Sequence, residues 1–106
     1  MITFEEFKRL EIKVAKIKEV KDHPNADKLY VMTIDLGDKT KQIVAGIKSA
    51  YTKEELVGKQ IVVVDNLEPA VLRGVESQAM LLAAQDNTIL SLLIPEKEVK
   101  AGAKVC

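Results

Sequence analysis

Between Val14 and Ala15 the alternation of apolar and polar residues slips by one: Ile12 and Val14 share one phase, Ala15 and Ile17 the other. A strand sends successive side chains to opposite faces, so a slip inside one run predicts a β-bulge or strong coiling. A small closed barrel requires such coiling. The segments downstream fit short strands as well. After a turn at His23-Pro24-Asn25, the run Lys28 to Leu36 alternates again, with Tyr30, Met32, Ile34 and Leu36 on one face. Gly37-Asp38 turns the chain into Thr40 to Ala45, which completes a hairpin. Ile61 to Val64 is a β-branched run suited to a buried strand, and Met80 to Ala84 and Thr88 to Ile94 flank a turn at Gln85-Asp86-Asn87. Pro95 breaks the last run, and Val99 to Val105 is long enough for one more short strand.

Two helices are written into the sequence by their caps. Thr3 with Glu6 forms a capping box, with Ile2 and Phe7 at the staple positions and Leu10 closing the element. Thr52 with Glu55 forms a second box, opening a brief helical turn that Gly58 ends. Five or more short strands with one interposed helix predict an all-β fold with short helices. The arrangement expected is a five-stranded OB-fold barrel with a capped N-terminal helix and C-terminal strands that can extend into a dimer interface. An SH3-like barrel or a split sandwich satisfies the pattern alone as well.

A chain of 106 residues makes one domain, 1–106, with a single core. Its 47% hydrophobic and 30% charged residues describe a folded globular protein rather than a disordered one. No apolar run approaches the roughly 20 residues of a membrane span, and Met1 to Glu6 lacks the basic and apolar regions of a signal peptide. A cytoplasmic location is therefore expected. The net charge is zero, which does not advertise a phosphate binder. The sum conceals unevenness: residues 8 to 28 hold seven basic and four acidic side chains, and residues 39 to 59 hold five and two. Residues 65 to 87 reverse the balance, with one basic and four acidic.

The inventory argues against catalysis. The single histidine, His23, precedes a proline in a turn, and the single cysteine, Cys106, is the last residue, so a nucleophilic dyad is not expected. His23 with Asp22 and Asp27 matches no chelate spacing, and the five glycines form no phosphate-binding loop, so neither metal nor cofactor is expected. Nothing singles out one carboxylate pair among sixteen acids. Aromatic residues are few: Phe4 and Phe7 sit in the capped helix, where core packing is expected, leaving Tyr30 and Tyr51. That supply does not suit a binder of single strands by stacking, but it is compatible with recognition of a folded RNA by shape and backbone contacts.

Two segments carry a resemblance. His23-Pro24-Asn25-Ala26-Asp27-Lys28-Leu29 is followed by Asn66-Leu67-Glu68-Pro69 and then by Arg73-Gly74-Val75-Glu76-Ser77-Gln78-Ala79-Met80. Together with Phe7-Lys8-Arg9-Leu10-Glu11-Ile12-Lys13-Val14 and Gln42-Ile43-Val44-Ala45-Gly46-Ile47, they resemble the signature of the tRNA-binding domain family, from Phe4 to Val105. Members are OB-fold modules appended to methionyl-tRNA synthetases, including the C-terminal or beta-subunit type, or free-standing dimers. The resemblance implies a non-catalytic tRNA-binding module, a homodimer, and a methionyl-tRNA synthetase catalytic subunit as partner.

Carried over by position, the RNA-facing candidates are Lys28, Lys41, Asn66, Arg73, Ser77 and Met80. Lys28 and Arg73 are suited to phosphates, Arg by its planar fork. Asn66 and Ser77 are able to bond ribose, phosphate or base edges, yet both types also stabilise turns. Met80 offers apolar contact but begins a strand. Asn25 and Asp27 are assigned to shaping their loop. Two departures stand out: Glu68 replaces a customary base, and Ala79 replaces a customary glycine and is less free to take a positive φ. Two alternatives remain open: a secretion-related chaperone-like branch of the fold that binds unfolded peptides, and a docking module that recruits a synthetase without touching RNA.

Overall fold

The computed structural model describes residues 1–106. Its strands are β1 (Ile12–Asp22), β2 (Tyr30–Asp35), β3 (Thr40–Ala45), β4 (Gln60–Val64), β5 (Ala70–Leu72), β6 (Val75–Ser77), β7 (Met80–Leu81), β8 (Ala83–Gln85) and β9 (Leu90–Leu92), with helices α1 (Phe4–Lys8) and α2 (Lys53–Leu56). Five of the strands form one antiparallel sheet in the order β3-β2-β1-β4-β7. It curls into a nearly closed barrel of the expected OB type.

The core follows from the alternation. Tyr30, Met32, Ile34 and Leu36 are all buried, and they meet Ala15, Ile17, Ile43, Ile61 and Val63 in one cluster closed at one side by Leu56 of α2. The phase slip has a different cause from the one expected. Register between β1 and β4 runs unbroken from Ile12↔Val64 to Lys16↔Gln60, and the bulge falls between Ile17 and Glu19, in the pairing with β2. Val14 and Ala15 are both buried because this half of β1 is covered on two faces. The chain's last residues also run along its free edge: Gly102 N–H donates to Val14 O, Val14 N–H to Ala103 O and Val105 N–H to Ile12 O. The final strand expected over Val99 to Val105 is thus a strap with a single bridge, Lys13↔Lys104.

Both capping boxes form as expected, with each threonine accepting from the glutamate N–H and each glutamate accepting from the threonine N–H. Helix α1 nevertheless buries nothing. Phe4 is 69% exposed, contrary to the core role expected of it, and only Phe7 is half-buried. The helix is five residues long and buries none of them, so neither phenylalanine enters the core cluster. The run Met80 to Ala84 is also split: Leu82 N–H donates to Val62 O while Leu82 O accepts from Leu93 N–H, so the chain changes partner there from β4 to β9.

Candidate nucleic-acid interface

The signature segments fold into two neighbouring pieces. The first is the loop 23–29, tied at its base by His23 N–H donating to Leu29 O (3.1 Å). The second is a tight hairpin, β5 and β6, turning at Arg73-Gly74. Sequence reasoning did not foresee that hairpin. Its signal was present as two short apolar-containing runs around a dipeptide ending in Gly, but the two-residue turn that ends in Gly, type I′, needs positive φ at both positions, and arginine seldom supplies it. Here Arg73 has φ 52° and Gly74 φ 89°.

His23 joins the two pieces. Its ring is buried; Nδ1 accepts from Asn25 N–H at 2.9 Å, and Nε2 lies 2.9 Å from Leu72 O. An N–H can donate only to a lone pair, so Nδ1 is unprotonated and Nε2 carries the hydrogen given to Leu72. Arg73 Nη2 adds a bond to Asn25 O at 3.3 Å. Lys28 and Arg73 thereby line one depression of about 430 Å³.

The other candidates also fall in pairs. Lys41 and Asn66 line a depression of about 590 Å³ with Lys39, Thr40 and Asp65. Ser77 and Met80 line an apolar groove of about 260 Å³ with Val44, Ala70, Leu72 and Ala79. Leu67 belongs to both. Met80 is half exposed, at 50%, and Glu68 shares its groove.

Besides Arg73, three candidates have internal partners. Ser77 is buried, accepting from Val44 N–H (3.0 Å) and donating to Ala79 O (2.9 Å). With Gln78, whose N–H donates to Gln42 O and whose Oε1 accepts from Gln42 N–H, it closes the barrel between β3 and the β6 segment. Asn66 fastens the start of β1, accepting from Glu11 N–H (2.8 Å) and donating to Arg9 O (2.7 Å). Lys41 donates to Asp65 O (2.9 Å) and faces Asp65 Oδ1 at 2.7 Å.

Asp65 organises this end of the barrel, and it was not singled out from the sequence. Its side chain is 2% exposed, with Lys13 and Lys39 Nζ each 3.1 Å from Oδ2. Burial pushes the carboxyl up, but hydrogen bonds and attraction from Lys41, Lys13 and Lys39 outweigh it and hold the pKa at about 2. The signal was its phase: Asp65 alternates with Val63 and Ile61, which face the core. Of the acids beside His23, Asp22 pairs outward with Lys48 and Lys53, each at 3.0 Å.

Residues 12–104 match the family model described as "Putative tRNA binding domain". The chain is 57% identical over 104 residues to methionine–tRNA ligase of Thermococcus kodakarensis, covering 98% of this chain but 14% of that protein. The chain thus spans about a seventh of the curated relative it matches. Among solved structures, a MetRS-related protein from Pyrococcus horikoshii superposes with TM-score 0.93 at 34% identity, covering 100% of this chain and 98% of that one. The chaperone CsaA of Bacillus anthracis superposes with TM-score 0.92 at 29% identity and 100% coverage of this chain and 99% of that one.

Proposed function

This chain belongs to the tRNA-binding domain family, and on that premise we propose that it is a non-catalytic module holding tRNA by shape and backbone contacts, with little sequence preference. The observation that carries the reading to particular atoms is the convergence of Lys28 and Arg73 on one depression from separate signature segments. Two cations at a shared rim bind a phosphate backbone, and Met80 offers apolar surface to a ribose or base. Ser77 holds β3 against β6 beside Met80, while Lys41 and Asn66 line the neighbouring depression, tied to Asp65 and to the start of β1. Because the chain corresponds to a seventh of a methionine–tRNA ligase, we assign it the role of raising effective tRNA concentration at a methionyl-tRNA synthetase, fused to it or as a separate subunit in the cytoplasm. A second copy of the chain completes the proposed assembly.

The test is fluorescence anisotropy of total tRNA against the protein at several salt concentrations, with single-stranded RNA of equal length as competitor. Expected are a steep loss of affinity with salt, from released counterions, and preference for folded tRNA. Lys28→Glu with Arg73→Glu is expected to weaken binding about tenfold or more at low salt. No binding at low salt, or equal competition by unfolded RNA, overturns the reading. Unchanged affinity after charge reversal moves the docking role ahead. The likeness to CsaA and the apolar groove beside Met80 favour the chaperone role as runner-up, and salt-insensitive binding of unfolded peptides is the result that would establish it.

A further inference from the structure

The geometry points to His23 as a positioning residue for RNA binding, a latch that aligns Arg73 with Lys28 without itself touching the ligand. The inference rests on the RNA reading of that depression. Its ground is the way one buried ring spends all of its polar capacity. The backbone N–H of His23 closes the loop 23–29 onto Leu29 O. Nδ1 holds the Asn25 turn inside that loop, and Nε2 crosses to Leu72 O, the residue immediately before Arg73. With the ring 6% exposed, no ring nitrogen is left for a ligand.

What the crossing bond controls is the direction of Arg73. A two-residue hairpin turn is stiff, and Arg73 sits in it with φ 52°. Fixing the carbonyl of Leu72 therefore fixes where the guanidinium leaves the backbone. The direct contact between the pieces, Arg73 Nη2 to Asn25 O, is exposed and long at 3.3 Å, too weak to set their spacing. Gly74 does not wedge the pieces together, since even an added Cβ would come no nearer than 4.0 Å to Asn25 Nδ2. The His23–Leu72 bond, shorter at 2.9 Å and part-buried, is the stronger polar tie across the gap.

Two substitutions separate the functions of the ring. In His23→Asn, Oδ1 stands where Nδ1 stood and keeps the Asn25 turn, but the side chain ends short of Leu72 O. In His23→Gln, the terminal amide reaches Leu72 O and gives up the turn. tRNA binding is measured across salt for both, for Arg73→Ala, and for His23→Asn with Arg73→Ala, below the lowest melting temperature of the set. His23→Asn is expected to weaken binding about tenfold and to reduce the salt slope by about one phosphate, while His23→Gln stays within about threefold of the parent. In the Arg73→Ala background His23→Asn is expected to add nothing, because it acts through that arginine. Full additivity, equal losses in both His23 variants, or parental binding by His23→Asn beside a weakened Arg73→Ala overturns the latch and leaves the RNA reading standing. Parental binding by Arg73→Ala overturns the RNA reading of this depression, and the latch with it. Where His23→Asn does not fold, His23→Gln decides: affinity within about threefold upholds the latch, and a loss like that of Arg73→Ala overturns it.

Discussion

Arg73 is the only non-glycine residue with positive φ. An L-residue in the left-handed region costs roughly 1 kcal/mol, and asparagine before glycine is the favoured pair for such a turn. Arg73→Asn is therefore expected to raise the free energy of unfolding by about 1 kcal/mol in urea titration while tRNA affinity falls. Lower stability in that variant would mean that the arginine side chain contributes more than its backbone costs. Ala79 shows the opposite case: the position has no positive φ, so alanine there demands no change of backbone. At this scale the sequence is legible by residue type and silent on partners. Ser77 and Asn66 are identifiable as hydrogen-bonding residues, but the Val44 N–H that Ser77 accepts from on β3, and Asn66's partners Arg9 and Glu11 before β1, are distant in sequence and brought close only by barrel closure.

Elements are legible where their determinants are local. Thr3 with Glu6 and Thr52 with Glu55 close their boxes within four residues, and the Tyr30 to Leu36 alternation needs no knowledge of its neighbours. The β5–β6 hairpin and the partner change at Leu82 depend on what the chain meets later, and there local pattern fails. The chain's two end segments tell a related story. Ile2 and Phe4 near the start, and Ile89, Leu93, Ile94 and Val99 near the end, are apolar and exposed, while of the last strand Leu92 is buried in the core and Leu90 packs against it. Covering such residues in a second copy removes apolar surface from water at roughly 25 cal/mol per Å². Sedimentation at micromolar concentration is expected to show twice the chain mass of 11.7 kDa, and Ile89→Lys with Ile94→Lys to shift it to the monomer. A monomeric parent would sink the dimer.

For the molecule as a whole, Asp65 ties stability to acidity. Its carboxyl titrates at about 2 when folded against 3.8 as an ordinary aspartate. A folded value below the unfolded one stabilises above the unfolded value and ceases to do so as pH falls through the folded one. At neutral pH the contribution is on the order of 2 kcal/mol, lost between about pH 4 and pH 2. Urea titrations across that window are expected to show a steep fall for the parent and a shallower one for Asp65→Asn, which starts from lower stability because Lys13, Lys39 and Lys41 lose their shared anion. Equal slopes would remove Asp65 from the account. The closure of the barrel carries a last consequence. Where two strands meet through main-chain bonds alone, sliding by two residues restores the ladder. Here Val44 meets a hydroxyl and Gln42 a side-chain amide, and neither has a duplicate two residues along. The zip engages at one tooth only, so the girth of the barrel, and with it the span between its rim loops, is set by Ser77 and Gln78.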